Sequence, residues 1–385
     1  MPASNNGPLA GVRVLDLTAV VMGPWATQIL GDMGADVIKV EALEGDVLRS
    51  MKPNRHDSMS PSFLNFNRNK RSVALDLKTP RGKERLRKLA RVCDVLVCNV
   101  RPQAMRRLGL DYESIRGEND RLIYCGCYGY SEAGPYAGRA AIDDTVQAAS
   151  GLAWIQGYCG DEPRFVNAII GDKIVGLYVA QAVAMALYAR EKTGRGQFIE
   201  VPMFESMAAF VVPEHLQGLT FEPPLGGAGY ERLLNPYRKP LRTRDGFISV
   251  VPYNDNQWKR FFEIAGRPQM IEDPKYATVL ARSKCFSELY EFIARTVAER
   301  TTAELVEAFA RAELPFATVN TFASLMEDEH LAATGFWQTV EHPTEGKLRM
   351  PGIATKFSET PGSVRRLAPN LGEHTEEVLR ELGIE

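Results

Sequence analysis

The sequence predicts an α/β protein with a doubly wound parallel sheet in a large domain, followed by a smaller α+β domain. Three observations carry this reading. Short runs rich in Val, Ile and Leu alternate with helical stretches as far as about residue 201. The chain has 385 residues, more than one ordinary domain core accommodates. Composition then changes at Glu222-Pro223-Pro224-Leu225-Gly226-Gly227-Ala228-Gly229, a Pro/Gly-rich stretch that reads as a linker or a mobile loop.

The first strand is expected over 12–18, where apolar residues cluster as in a buried parallel strand. Gly23-Pro24 marks the turn into a helix over 25–33, Gly34 closes it, and 36–40 is the next strand. The alternation continues with a strand over 72–77, a basic amphipathic helix over 80–91, and strands over 94–98 and 122–126. A long apolar helix over 174–190, read as a buried one, turns through Thr193-Gly194-Arg195-Gly196 into a strand over 197–201. Beyond residue 222, Asp245-Gly246 precedes a strand over 247–251, and 254–265, 287–298 and 302–312 read as amphipathic helices. The expected large domain therefore covers 1–221 and the small domain with its linker 222–329. Strand-like, turn-rich sequence returns over 330–385 and is assigned to the large domain.

Composition narrows the function. Lys plus Arg (46) nearly balances Asp plus Glu (48), so no global field draws the chain to nucleic acid or to an anionic membrane, and a small molecule is the expected partner. No basic segment followed by an apolar core opens the sequence, and the most apolar run, 176–188, is short for a bilayer span, so the cytoplasm is the expected compartment. Six cysteines without a CxxC pair and five scattered histidines predict reduced thiols and no metal site. The segment after the first strand, 18–24, lacks the G-x-G-x-x-G fingerprint, which argues against NAD or FAD. No tightly bound cofactor is expected.

Several ordered segments resemble the family III CoA transferases, also called the CaiB/BaiF family: GVRVLDLT with Gly23-Pro24, NRNKRSVALDLKTPRGK, Asn99 with RPQAMRRLGLD, IIGDKIVG, TGRGQ and LGEHT. They spread over nearly the whole chain. The resemblance implies a Rossmann-like large domain built from both chain ends, a small domain between them, and an interlocked homodimer. It further implies transfer of coenzyme A from an acyl-CoA to a free carboxylic acid, with coenzyme A as substrate.

Such an exchange needs a nucleophile able to carry first an acyl group and then a thioester, and a carboxylate can do both through mixed anhydrides. Asp172, between Gly171 and the long apolar helix, reads from position alone either as a helix cap or as such a nucleophile. The resemblance assigns it the nucleophilic role. For coenzyme A the matched positions are Val20, Val21, Leu75, Lys78, Asn99 and Arg107, with Arg101 and Tyr130 as neighbouring additions. Gly226, Gly227 and Gly229 read as a lid over the reactive centre or as a plain linker. The cations of 237–239 and Arg242 read as surface charges or as partners for a second carboxylate.

Two departures from the formyl-CoA transferase members stand out: Val21 replaces a glutamine and Tyr128 a lysine. Two alternatives keep the fold. One is an α-methylacyl-CoA racemase, whose catalytic histidine corresponds here to Ile142, ahead of Asp143. The other is a non-catalytic CoA-binding protein, against which the retained Asp172 argues.

Overall fold

The computed structural model describes residues 5–160 and 162–384. The chain divides into two compact units: Met1–Ala153 with Arg164–Val211 and His330–Glu385, and Trp154–Pro163 with Val212–Glu329.

The first unit is built on six parallel strands: β1 (Arg13–Leu17), β2 (Asp36–Glu41), β3 (Lys70–Ala74), β4 (Val95–Cys98), β5 (Ile123–Tyr128) and β6 (Phe198–Pro202). Their order is β3-β2-β1-β4-β5-β6, so the winding direction reverses between β1 and β4. Strands covered on both faces need continuous apolar sequence, and Val14–Leu17 and Val95–Cys98 are buried at every residue. Helices of this part of the unit include α1 (Met22–Asp32), α2 (Pro80–Val92), α3 (Pro102–Leu108), α4 (Asp143–Ala149), α5 (Ile170–Thr193) and α6 (Met203–Val211). The start of α2 follows from local chemistry: Thr79 accepts a hydrogen bond from the Gly82 amide, and Pro80 stands where an amide would have no helical partner.

Two helices approach closely because glycine stands where they meet. A Cβ on Gly176 of α5 would lie 2.8 Å from the Met22 carbonyl oxygen and 2.9 Å from the Trp25 ring. Along α5, Val175, Val179 and Val183 form a buried stripe, and the helix packs on α1 and β5. Length and composition alone would let this helix cross a membrane. Its packing, and an ion pair between the nearly buried Arg190 and Asp94 at 2.9 Å, are those of a core helix in an α/β unit.

In the second unit β7 (Leu241–Arg242), β8 (Phe247–Val250) and β9 (Phe316–Thr318) form an antiparallel sheet. Helices α7 (Asp255–Ile264), α8 (Phe286–Ala298) and α9 (Thr302–Arg311) contribute to an aromatic core that contains Trp258, Phe261, Phe262 and Phe309. The chain then returns to the first unit as the hairpin β10 (Trp337–His342) and β11 (Gly346–Pro351) and the helix α10 (Thr375–Glu381). The terminal segment is stitched to β3: the His374 amide donates to the Ser72 carbonyl at 2.9 Å, and the Ala74 amide to the Thr375 hydroxyl at 3.0 Å.

The structure shifts several expectations. The sheet is parallel as read, but β3 begins at Lys70 and not at 72, because the polar NKRS residues are buried there by ion pairs and hydrogen bonds instead of being left in a loop. Helix α5 starts at Ile170, four residues ahead of its apolar run, and Leu177, Met185 and Tyr188 on it are exposed, so it is buried on one side only. The Pro/Gly-rich stretch at 222–229 lies inside the second unit, which begins at Val212 and also holds the excursion 154–163. Composition marks the loop, whereas packing marks the boundary.

Beneath the carboxyl end of β1 lies a fully buried charge network, reached by Lys39 of β2 and by Lys70 at the start of β3. Asp16 accepts from Lys70 at 3.0 Å, from the Thr27 hydroxyl at 2.6 Å and from the Thr18 hydroxyl at 2.5 Å. Lys39 donates to the Thr18 carbonyl at 2.7 Å and to Asp46 at 3.1 Å. Burial raises the Asp16 pKa, but Lys70 and Lys39 outweigh it and hold the carboxyl well below the usual range. Replacing Asp16 by Asn leaves two buried ammonium groups short of their counter-charge. Urea unfolding at neutral pH is expected to show a loss of about 3–5 kcal/mol.

Candidate functional site

The reversal of strand order between β1 and β4 opens a crevice at the carboxyl ends of the strands, the usual ligand position in such sheets. A cavity of about 330 Å³ occupies it, lined by residues that include Thr18 and Ala19 after β1, Glu41 to Asp46 after β2, Leu75 to Lys78 after β3, and Asn99 and Val100 after β4. Its rim is pinned by side chains. Asn99 accepts from the Ala19 amide at 3.1 Å and donates to the Ala19 carbonyl at 2.8 Å, clasping the loop that leads into α1. Asp46 accepts from the Val20 amide at 3.3 Å while paired with Lys39. Val20 is held at φ +70°, a conformation disfavoured for a β-branched residue, so the loop's shape is imposed by these contacts. Gly23 is required nearby, since a Cβ there would sit 2.3 Å from the Thr18 side chain.

Leu75, Lys78 and Asn99 thus meet in one cavity, as expected from the sequence. The other positions do not join them there. The Val21 side chain is buried in a separate apolar cluster with Leu48, Met59 and Phe63, and Val20 is exposed next to the rim. Arg101 and Arg107 are exposed at the two ends of α3, whose Met105 and Leu108 supply the apolar wall. Tyr130 packs edge-on against Tyr136 and against Phe204 of α6, with centroids 5.4 and 5.7 Å away. Gly226, Gly227 and Gly229 belong to the second unit, where the Gly229 amide donates to the His215 carbonyl at 2.7 Å and the Gly218 amide to the Gly227 carbonyl at 3.2 Å.

Asp172 is the third residue of α5, within its first turn, and not its cap; the cap position is Ile169, which makes no side-chain capping bond. Among the described residues no donor reaches the Asp172 carboxylate, while its own amide donates to Asp143 Oδ1 at 2.9 Å. Asp143 is fixed in turn by Gln147, four residues on in α4, whose Nε2 donates to Asp143 Oδ2 at 2.6 Å and whose Oε1 accepts from the Val166 amide at 2.9 Å. Gly171 makes the arrangement fit: a Cβ there would meet Asp143 Oδ1 at 3.1 Å and the Met203 methyl at 3.2 Å. The small residue therefore admits Asp143 and Met203. Burial, and then the neighbouring charge of Asp143, push the Asp172 carboxyl up to about 6. Sequence reasoning weighed Asp143 only as the neighbour of Ile142. The Asp143/Gln147 pair at i, i+4 was a legible signal, but its long-range target was not.

The site and the cavity share one edge of the sheet. Asp172 precedes Gly176 by one helical turn, and Gly176 abuts Met22, the first residue of α1 after the pinned loop. A carboxylate short of donors, at the positive end of a 24-residue helix, suits attack on a carbonyl and stabilisation of the resulting oxyanion. Among the described residues no cluster of His, Cys, Asp and Glu could hold a metal ion.

Comparison with known proteins gives a concordant picture. The model of CoA-transferase family III matches residues 9–375. Succinyl-CoA:glutarate CoA-transferase of Mus musculus is 35% identical over 379 residues, covering 97% of this chain and 86% of that protein. Formyl-CoA:oxalate CoA-transferase of Streptomyces coelicolor is 33% identical over 393 residues, covering 98% and 95%. Among solved structures, a CaiB/BaiF family protein from Brucella suis superposes with a TM-score of 0.82 at 29% identity, covering 98% of this chain and 100% of that one. Rv3272 from Mycobacterium tuberculosis gives 0.81 at 29%, covering 98% and 99%.

The raised pKa of Asp172 has a stability consequence. A carboxyl whose folded pKa exceeds its unfolded value favours the folded state while protonated, and that contribution is lost as pH rises through about 6. Asp172→Asn is therefore expected to stabilise the protein above that pH, on the order of 2 kcal/mol. The gain should vanish below the ordinary Asp pKa, and paired urea melts at acid and neutral pH check it.

Proposed function

Because the chain belongs to CoA-transferase family III and transfers coenzyme A between carboxylic acids, we propose that Asp172 is the covalent nucleophile of that transfer. The observation that carries this reading is a carboxylate raised to about 6, free of hydrogen-bond donors among the described residues and fixed at its backbone by Asp143. Each such donor would lower the energy of the anion that must attack.

Asp172 adds through an oxygen to the thioester carbonyl of the donor, forming an acyl-aspartyl anhydride and releasing the CoA thiolate. The thiolate then attacks the aspartyl carbonyl, giving an aspartyl-CoA thioester and the free donor acid. An acceptor carboxylate attacks that thioester and regenerates thiolate and anhydride. Thiolate attack on the acceptor's acyl carbon yields the new acyl-CoA and restores Asp172. Atoms and charge balance at every step without an external acid or base. Ile142, at the cap of α4, offers no base for racemisation.

The cavity at the strand reversal is proposed to hold the nucleotide part of coenzyme A, with Lys78 and Asn99 as polar contacts and Leu75 as an apolar one. Arg107, Arg101, Val20, Val21 and Tyr130 are proposed to act from outside this lining. The loop of Gly226, Gly227 and Gly229 is proposed as a lid on its glycine content alone. Exposed Leu177, Met185 and Tyr188 on α5 support a homodimer in which a second copy covers them. Six free thiols, four of them buried, favour a reducing compartment such as the cytoplasm. The names of the curated relatives make succinyl-CoA with glutarate the first donor and acceptor to try.

Incubation with acyl-CoA and hydroxylamine, followed by peptide mass spectrometry, is expected to place a hydroxamate on Asp172. Trapping on another residue, or none with a donor that turns over, would overturn the assignment. A second expectation concerns pH. The ionised nucleophile gives kcat/KM an acid limb with an apparent pKa of about 6. Asp143→Asn, which removes a neighbouring negative charge, should move that limb to lower pH.

A further inference from the structure

The second unit carries a cavity of about 590 Å³, within the usual range for small-molecule sites; Gly227 and Gly229 of the proposed lid loop border it, and no covalent step above uses it. Its walls are aromatic: Tyr230, Tyr253, Trp258, Phe286 and Tyr290. Arg232 enters it with its guanidinium 5.3 Å from the Tyr253 ring centroid and 5.6 Å from that of Phe286. Its Nε donates to the Tyr290 hydroxyl at 3.0 Å. Among the described residues no carboxylate pairs with it. The other guanidinium in the lining, Arg282, is already neutralised by Asp255 and donates to the Tyr276 carbonyl at 2.6 Å.

We propose that this cavity is a non-covalent site for a monocarboxylic acid with an aromatic body, its carboxylate held by Arg232. With Nε on the Tyr290 hydroxyl and the Tyr230 hydroxyl also close to the guanidinium, the remaining terminal N–H groups are donors suited to one carboxylate. Arg232 is the one unneutralised cation of the lining, and Glu231 is its one acidic residue. Within this lining a second carboxylate on the ligand would therefore meet Glu231 and no free cation. The aromatic walls supply stacking faces for a planar body. Arg238 and Lys239 line a neighbouring cavity that shares Arg232 and Tyr290, so the choice between mono- and dicarboxylate is open to direct test.

The test needs no coenzyme A, so its outcome is independent of the chemistry assigned to Asp172. Benzoate, phenylacetate and glutarate are titrated into the full-length protein while tryptophan fluorescence is followed, with Trp258→Phe identifying the signal of the cavity. Saturable binding of the two aromatic acids is expected, weaker binding of glutarate, and retention in Asp172→Asn. Arg232→Gln should weaken binding at least about tenfold, with Arg232→Lys in between. Circular dichroism establishes that each variant is folded. Should Arg232→Gln not fold, Arg232→Lys alone must still weaken binding measurably. Absence of a saturable Trp258 signal, unchanged affinity in a folded Arg232 variant, loss in Asp172→Asn, or glutarate binding as tightly as benzoate would each overturn the proposal.

Discussion

The buried charge network around Asp16 is the constraint on which the shape of the first unit's ligand edge rests. Lys39 and Lys70 reach from β2 and β3 under the carboxyl end of β1, and each ends on Asp16, on Asp46 or on a backbone carbonyl. Burying such ions is costly, and a well-packed apolar substitute can match a satisfied network in stability. What an apolar core would not supply is the direction of these bonds. Asp46 is held by Lys39 and in turn holds the Val20 and Leu48 amides, so the loop after β1 and the segment after β2 are fixed to one another. Next to it Arg49 makes a two-point pair with Glu41 at 2.7 and 2.8 Å and donates to the Pro369 carbonyl, tying the returning C-terminal segment to the same edge.

Close backbone approach extends that fixed edge to α5. Gly23, Gly171 and Gly176 each stand where a Cβ would collide with, or press tightly on, a neighbour: Thr18, Asp143 with Met203, and Met22 with Trp25. These contacts couple the pinned loop to α1, α1 to α5, and α5 to the Asp143 segment. The position of Asp172 is thereby set by packing over several elements and not by its own side chain, which is left without local partners. A side chain that makes no anchoring bonds can be placed only in this way.

How far the sequence could be read follows the range of the interactions involved. The parallel sheet was legible because burial on both faces demands apolar runs, and those runs are local. The switch-point position of Leu75, Lys78 and Asn99 was legible once those strands were recognised, since residues just after parallel strands gather at one edge. The buried start of β3 was not, because Lys70 reads as surface until its partner Asp16, far away in sequence, is known. The first turn of α5 was missed because Gly171, Asp172 and Lys173 break the apolar pattern. Adjacency to a binding loop says nothing about which way a side chain faces, and that of Val21 turns into the apolar cluster with Leu48, Met59 and Phe63. The linker composition at 222–229 suggested a boundary, yet the chain changes unit at 212, where no compositional signal exists.

Asp16 and Asp172 show how one unit drives the same side chain to opposite ends of its range. Both are removed from water, which alone raises a carboxyl pKa. Around Asp16 two ammonium groups and two hydroxyls more than compensate, and the anion is stabilised beyond usefulness as a nucleophile. Around Asp172 no side-chain donor or cation compensates among the described residues, and the charge that acts on it is a second carboxylate. The first arrangement stores its favourable energy in the folded state. The second withholds it, leaving a carboxylate without donors among the described residues beside a backbone amide fixed by Asp143, which supports the nucleophilic role proposed for it. The sign of the perturbation separates the two: the lowered carboxyl builds the edge, and the raised one is the candidate for reaction.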